Sequence, residues 1–258
     1  MLLSTSRAFY KVSKSLHSLH TRTSSVSCFS TLNVVLDLDE CMVHSTFLDD
    51  DEAYRQYEES RETKNNDKND NSLTKLDIQC EDGAPVSVAL RPNLIPFLKE
   101  LHTQNYNVFA FTAALPIYAR PVFARLEEEV FNSNGNSLWK DIWYRHDCSA
   151  IPVRDTRSGR EFHIYGKDII NTSKLEPKHS VLIDNNMYSF LACPYNGFLM
   201  PDFIDDPKDQ ALLSLQSQLQ IWQESLIIGN DIRDELEIAG KHWRPQIQQI
   251  FGGDPKSR

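Results

Sequence analysis

The stretch from Asn33 to Ser45, NVVLDLDECMVHS, constrains this chain more than any other. An apolar run, Val34 to Leu36, is typical of a buried strand and is followed by two carboxylates, Asp37 and Asp39. Side chains two residues apart in an extended chain point the same way, so both carboxylates would reach one spot at the end of the strand. In a parallel α/β sheet that spot is where ligands bind. A D-x-D pair alone also fits two solvated carboxylates at a strand end.

Two adjacent carboxylates can take two different chemical roles. One can hold a magnesium ion or attack phosphorus, and the other can donate and accept protons. The pair would therefore supply the parts of a two-step phosphoryl transfer.

Two later strand-like runs also end in polar side chains. Asn107 to Phe111 ends in Thr112, whose hydroxyl can donate to a phosphoryl oxygen. On its own pattern, Thr112 is better explained as a cap of the helix predicted to start near Pro116. Val181 to Ile183 is followed by Asp184 and Asn185, whose oxygens would complete a shell for magnesium.

Several motifs in order carry a family resemblance. DLDECMVHS resembles the DLDETLVHS signature of the haloacid dehalogenase superfamily, in the branch of the RNA polymerase C-terminal-domain (CTD) phosphatases. Further matches are LRPNLIPFLKEL from Leu90, FTAALPIYARPV from Phe111, YGKDI from Tyr165 and VLIDNN from Val181. The resemblance covers residues 32–236 and, with the alternation of strands and helices, predicts an α/β fold with a doubly wound, Rossmann-like parallel sheet.

The resemblance implies roles for five residues. Asp37 would attack phosphorus to form an aspartyl phosphate, and Asp39 would act as the general acid and base. Thr112 and Lys167 would bind and neutralise the phosphoryl oxygens. Arg145 matches a phosphate-binding arginine of the small CTD phosphatases, but a surface arginine fits equally, because the segment after it departs from the family.

The implied cofactor is Mg²⁺. Its ligands would be the side chains of Asp37, Asp184 and Asn185 and the main-chain carbonyl of Asp39. The family usually reads DNSP where this chain has DNN followed by Met187, a departure that could alter the loop. Cys41 replaces the usual threonine or valine of the signature, with sensitivity to oxidation expected if its thiol is exposed.

No large cap domain is expected, since only core elements and short loops fit between Thr112 and Lys167. An uncapped site admits bulky groups, which favours a phosphorylated protein over a small metabolite. The resemblance implies phosphoserine or phosphothreonine. The predicted function is a magnesium-dependent protein serine/threonine phosphatase.

Composition sets the outer bounds. The 258 residues, 40% of them hydrophobic, suffice for one domain with flanking segments. The 27 basic and 36 acidic residues give a net charge of −9, which argues against direct nucleic-acid binding. No apolar run has the length of a membrane span. Five scattered cysteines favour a reducing compartment or the mitochondrial matrix over a disulfide framework.

Four segments are predicted along the chain. Residues 1–31 have four basic residues, many serines and no acid, which is typical of a transit peptide or a disordered serine-rich tail. A phosphatase domain spans 32–238, with a polar insertion at 49–72, and 239–258 form a tail. The leader predicts a mitochondrial location, with plastid and nucleus as alternatives.

Other functions compete with the phosphatase. The mitochondrial inner-membrane translocase has a subunit in the same branch, so a presequence-binding receptor with translocase partners is the main alternative. A small-molecule phosphatase would be expected to carry a cap. A cysteine-nucleophile phosphatase needs a glycine-rich loop ending in arginine, which ECMVHST lacks.

Overall fold

The structure, a computed structural model, describes residues 31–48, 73–132, 136–154 and 159–251, without the side chains of 248–251. The leader up to residue 30 and the polar insertion at 49–72 lie outside these residues. None of the helices in the described ranges has the length and apolar character needed to cross a membrane.

The elements alternate along the chain. The strands are β1 (Asn33–Leu36), β2 (Val43–Phe47), β3 (Lys75–Gln79), β4 (Pro85–Leu90), β5 (Asn107–Phe111), β6 (Trp139–Trp143), β7 (Ser149–Arg154), β8 (Glu161–Gly166), β9 (Ser180–Asp184) and β10 (Gly197–Leu199). The helices are α1 (Leu94–Thr103), α2 (Pro116–Phe131), α3 (Ala211–Ile227), α4 (Ile232–Ala239) and α5 (Arg244–Phe251).

The central sheet has five strands in the order β10-β9-β1-β5-β6, and all neighbours are parallel. β1 is the middle strand, with Leu36 level with Ala110 of β5 and Ile183 of β9. Strands buried on both faces read as continuous apolar runs, as VVL and VLI do here. The predicted α/β fold with a doubly wound parallel sheet is confirmed.

Each face of this sheet has its own apolar core. Val34 and Leu36 point into a core formed with α1, α2 and α3, while Val35 points to the opposite side. On that side it packs in a cluster with Phe190 and Trp243. The period-two alternation of β1 therefore sorts its side chains between two layers and leaves Asp37 at the strand end.

Two small antiparallel sheets flank the central one. The first consists of β2, β4 and β3, with a turn at residues 81–83 between β3 and β4. β7 and β8 form the second, a hairpin of six-residue strands between β6 and Lys167. The expectation of only core elements and short loops there was wrong, although the insertion is a hairpin and not a domain-sized cap.

Pro121 lies inside α2 and explains how the first small sheet docks. A proline has no amide hydrogen, so the carbonyl four residues earlier loses its helical partner. That carbonyl belongs to Ile117 and accepts a hydrogen bond from the amide of Glu81, at 3.0 Å. The β3–β4 turn is thereby fixed to the helix that follows Thr112.

Two boundaries differ from what the sequence indicates. A proline favours the first position of a helix, so Pro92 would be expected to open α1. The helix instead begins at Leu94 after Asn93, which has a left-handed φ of 68°. Asparagine is one of the few residues that adopt this conformation readily. Trp243 lies in the predicted tail, yet it is buried against the ring of Phe190, with centroids 4.7 Å apart.

Arg91 connects the signature loop, residues 37–42 between β1 and β2, with the segments around Pro201 and Asp209. Its guanidinium, fully buried, makes two hydrogen bonds to Asp209, at 2.9 and 2.8 Å. It also donates to the carbonyls of Cys41, at 2.8 Å, and Pro201, at 2.9 Å. Burial raises the pKa of Asp209, but the hydrogen bonds from Arg91 and from the amide of Ala211 outweigh it, so the pKa lies below its ordinary value.

Replacing Arg91 by methionine is expected to destabilise the fold strongly. The substitution leaves the carboxylate of Asp209 and two carbonyls without their donor, and removing one partner of a buried ion pair costs about 3–5 kcal/mol. Arg125→Met is the control, because Arg125 pairs with Glu128 and Glu129 on the surface, where such pairs contribute about 1 kcal/mol or less. Urea unfolding measures both variants. Equal losses would contradict the role given to Arg91.

Candidate active site

A cavity of about 500 Å³ opens at the carboxyl ends of the central strands. All the residues proposed from the sequence for catalysis, phosphate binding or metal binding line it: Asp37, Asp39, Thr112, Arg145, Lys167, Asp184 and Asn185. They come from distant parts of the chain, and the parallel sheet brings them together because its strands end at one edge.

Lys167 forms the centre of the site. Its ammonium lies 2.5 Å from Oδ1 of Asp37 and 2.6 Å from Oδ2 of Asp184, and all three side chains are buried. The backbone of Lys167 is fixed on both sides, because its amide donates to the carbonyl of Ser189, at 2.8 Å, and its carbonyl accepts from Sγ of Cys193, at 3.2 Å. The ammonium is therefore held in place between two strands.

The charges of this cluster do not balance. Burial and the neighbouring charge of Asp184 raise the pKa of Asp37 to about 8, despite the attraction of Lys167. Burial would lower the pKa of Lys167, but Asp184 and Asp37 outweigh it, and the pKa of the ammonium lies above its ordinary value. One cation cannot balance two carboxylates, so Asp37 keeps its proton until the pH rises through about 8.

Asp39 has a different environment from Asp37. Its Oδ1 accepts a hydrogen bond of 2.6 Å from the hydroxyl of Tyr118, which lies 2.6 Å from Oγ of Ser45. Burial raises the pKa of Asp39, and the hydrogen bond from Tyr118 lowers it in part. Neither Tyr118 nor Ser45 was predicted from the sequence. The available signal was the position of Tyr118 in the first turn of the helix after Thr112.

Thr112 and Arg145 lie side by side at the cavity. Oγ1 of Thr112 accepts from the amide of Ala114, at 2.9 Å, which leaves the hydroxyl hydrogen able to donate to a ligand. Nε of Arg145 donates to the carbonyl of Ala113, at 2.5 Å, and its guanidinium lies over the ring of Tyr165, 5.3 Å from the centroid. Arg145 is exposed but is bound to the loop after Thr112.

The departure from DNSP has a structural explanation. Oδ1 of Asn186 accepts from the amide of Tyr188, at 3.0 Å, and caps the 3₁₀ turn Met187–Phe190. Asparagine and serine are comparable as N-caps. The amide of Asn186 donates to Oδ1 of Asp184, at 2.8 Å, so the loop still orients that carboxylate.

Cys41 does not face the cavity. It is 1% exposed and packs in the core. Burial, together with the charges of Asp37 and Asp184, raises the pKa of its thiol well above the ordinary value. A buried and protonated thiol reacts slowly with oxidants, so the condition for the expected oxidation sensitivity is not met.

The available ligands fit a magnesium ion. Asp37 and Asp184 contribute carboxylates, and Asn185 and the carbonyl of Asp39 contribute neutral oxygens. In the described part of the chain, no group of three or more His, Cys, Asp or Glu residues forms a metal cluster. Magnesium commonly binds through one or two carboxylates together with water and substrate phosphate. Lys167 alone cannot balance both Asp37 and Asp184, and a divalent cation would supply the missing positive charge.

Comparison with known proteins agrees with this geometry. The family model of the NLI interacting factor-like phosphatases matches residues 32–227. The chain belongs to this family. The suggested resemblance to CTD phosphatases of the haloacid dehalogenase type is therefore confirmed.

Relatives of this phosphatase domain are distant. The CTD nuclear envelope phosphatase 1 homolog of Drosophila melanogaster is 27% identical over 205 residues, which cover 79% of this chain and 70% of the fly protein. Nuclear envelope morphology protein 1 of Schizosaccharomyces pombe is 25% identical, over 79% of this chain and 35% of the yeast protein. The solved structure of Fcp1, an essential RNA polymerase II CTD phosphatase, is 15% identical with a TM-score of 0.44, over 88% of this chain and 55% of that chain.

The mitochondrial prediction was wrong. The names of the fly and fission yeast relatives refer to the nuclear envelope, which points away from the mitochondrion. The translocase receptor and its partners find no support among these relatives either. A basic, serine-rich segment is a compositional signal shared by many sequences, and residues 1–30 lie outside the described residues.

Replacing Asp37 by asparagine is expected to stabilise the metal-free protein at alkaline pH. The folded pKa of about 8 lies above the ordinary value of 3.8, so the folded state keeps a proton that the unfolded chain has released. The contribution of Asp37 to stability is therefore complete below pH 3.8 and is lost as the pH rises through 8. Asparagine does not ionise, so the variant does not lose stability in this way as the pH rises.

Thermal unfolding in a chelator measures the effect. Asp37→Asn should raise Tm at pH 8 by at least about 2–4 °C, the equivalent of roughly 1 kcal/mol in a protein of this size, and by less at pH 5. Lys167→Met should lower Tm, because it leaves two buried carboxylates without a cation. An unchanged Tm of Asp37→Asn at pH 8 would contradict the charge imbalance.

Proposed function

We propose that this protein is a magnesium-dependent phosphatase that removes phosphate from phosphoserine or phosphothreonine in proteins through an aspartyl phosphate on Asp37. The observation that carries the proposal is the position of Asp37. It is buried at the end of the central strand, and Lys167 fixes one of its oxygens. Asp39, a second carboxylate, lines the same cavity.

The first step is the transfer of the phosphoryl group to the ionised carboxylate of Asp37. A cation held beside Asp37 would favour this ionised form over the protonated form of the metal-free protein. Lys167 holds Oδ1 of Asp37, which leaves Oδ2 to form the bond to phosphorus. The bond between phosphorus and the leaving oxygen breaks in line, and Asp39 gives its proton to that oxygen. A raised pKa helps Asp39 to keep this proton until it is needed.

The second step releases the phosphate. Asp39, now ionised, takes a proton from a water molecule that attacks phosphorus. The bond between phosphorus and Oδ2 of Asp37 breaks, inorganic phosphate leaves, and both aspartates return to their starting states. One carboxyl group thus acts as the acid in the first step and as the base in the second.

The remaining groups bind the charge on the phosphoryl oxygens. The hydroxyl of Thr112 and the guanidinium of Arg145 line the cavity as donors, and Lys167 adds a positive charge. Magnesium would be held by Asp37, Asp184, Asn185 and the carbonyl of Asp39. Bound there, it supplies charge neutralisation for the phosphoryl group and the carboxylates around it.

The walls of the cavity support a protein substrate. Among the residues that the structure describes between Thr112 and Lys167, the β7–β8 hairpin is present and there is no cap-sized domain. One wall carries Phe47 and Leu115, which are 45% and 50% exposed and can pack against residues flanking a phosphorylated side chain. A small metabolite would leave this wall uncovered.

Hydrolysis of an aryl phosphate by the full chain tests the reaction. Asp37→Asn should abolish turnover because it removes the nucleophile. Asp39→Asn should lower kcat/KM by about 10²–10⁴-fold, the usual contribution of a general acid or base. Chelation should stop turnover and added Mg²⁺ restore it.

Asp82→Asn is the matched control for these variants. Asp82 is exposed in the β3–β4 turn, where an asparagine can still accept from the amide of Ala84. It should keep full activity. Undiminished turnover by Asp37→Asn would contradict the proposed nucleophile.

Phosphopeptides test the substrate class. Peptides with phosphoserine or phosphothreonine should have a kcat/KM at least about tenfold above that of a sugar phosphate, a difference of roughly 1.4 kcal/mol in transition-state binding. Phosphate release is measured for each substrate, with a phosphotyrosine peptide included. A preference for the sugar phosphate would rule out a protein phosphatase.

A further inference from the structure

We propose that Tyr118 is a positioning residue for Asp39: its hydroxyl, oriented by Ser45, occupies Oδ1 and assigns the transferable proton to Oδ2. The inference rests on the proposed function, because it concerns the acid in the first step. It adds two residues, from β2 and α2, to the catalytic arrangement.

The hydroxyls of Ser45 and Tyr118 and the carboxyl group of Asp39 form a continuous series of hydrogen bonds. The phenol oxygen of Tyr118 lies 2.6 Å from Oδ1 of Asp39 and 2.6 Å from Oγ of Ser45. Tyr118 is 6% exposed and lies in the first turn of α2, whereas Ser45 is on β2. Two elements outside the central sheet therefore meet the signature loop at this point.

The number of hydrogens available fixes the direction of the hydrogen bonds among Ser45, Tyr118 and Asp39. A phenol has one hydrogen to donate, and an ionised carboxylate can only accept. The hydrogen of Tyr118 therefore goes to Asp39, and the hydroxyl of Ser45 must donate to the phenol oxygen.

This direction decides where Asp39 carries its own proton. Oδ1 already accepts a hydrogen from Tyr118, so a proton gained by Asp39 is placed on Oδ2. The hydrogen bond also restricts rotation of the carboxyl group, and a general acid must meet the leaving oxygen with the correct atom. Without the phenol, either oxygen could carry the proton and the group could turn.

Tyr118→Phe removes the hydroxyl and keeps the ring, so it tests the hydroxyl alone. The ring packs against Phe47, with centroids 5.2 Å apart, and phenylalanine can keep that contact. The comparison uses two substrates, phenyl phosphate and 2,4-dinitrophenyl phosphate, with the full chain. Phenoxide is a poor leaving group that needs a proton, whereas dinitrophenoxide leaves without one.

The expected result is a selective loss in kcat/KM, which reports the steps up to phosphoryl transfer to Asp37. Tyr118→Phe should lower kcat/KM for phenyl phosphate by roughly 10–100-fold, part of the 10²–10⁴ that a general acid contributes. The value for dinitrophenyl phosphate should stay nearly unchanged. Ser45→Ala should show the same selectivity with a smaller loss, and it keeps the test available if Tyr118→Phe fails to fold.

Tyr106→Phe is the matched control, because Tyr106 is buried elsewhere in the core and should affect neither substrate. Equal losses for both substrates in Tyr118→Phe would show a structural role and overturn the inference, as would no loss for either. A selective loss in Asp39→Asn with none in Tyr118→Phe or Ser45→Ala would leave the proposed function intact and reject the positioning role. No turnover by the unaltered protein would overturn the proposed function itself.

Discussion

Two buried carboxylates share one ammonium at the carboxyl edge of the sheet, and the rest of the structure serves that contact. Asp37 follows β1, Asp184 ends β9 and Lys167 follows β8. The cluster therefore forms only when β1 and β9 are paired and the end of the β7–β8 hairpin lies beside them. Charges in a buried site are costly unless they are paired with good geometry. Here one carboxyl group has no cation of its own, which suits the site to a metal ion that would also offset the charge of a phosphoryl group.

The supports of the cluster lie on both sides of the sheet. Arg91 holds the signature loop through the carbonyl of Cys41, next to Asp39. On the other face, Trp243 packs against Phe190, in the turn whose Ser189 carbonyl holds the amide of Lys167. Catalytic groups must keep their positions within a fraction of an ångström, and such packing is how a fold provides that precision.

The sequence predicts the central sheet and its polar strand ends because both follow from local patterns. A buried run followed by D-x-D places Asp37 and Asp39 on one side, and parallel strands bring Thr112 and Asp184 to the same edge. The contact between Tyr118 and Asp39 could not be predicted in this way, because it depends on how α2 is rotated against β1. The burial of Trp243 likewise depends on docking between segments far apart in the chain, a tertiary effect that no local period reveals.

The most direct measurement is to trap the phosphoryl group on the enzyme. Asp39→Asn lacks the base for the second step, so the intermediate should accumulate with an activated aryl phosphate and Mg²⁺. Borohydride reduces an aspartyl phosphate to homoserine, which mass spectrometry of the digested protein locates. We expect homoserine at position 37, dependent on substrate. An unmodified Asp37 in protein that has released the aryl alcohol, or homoserine at any other position, would contradict nucleophilic attack by Asp37.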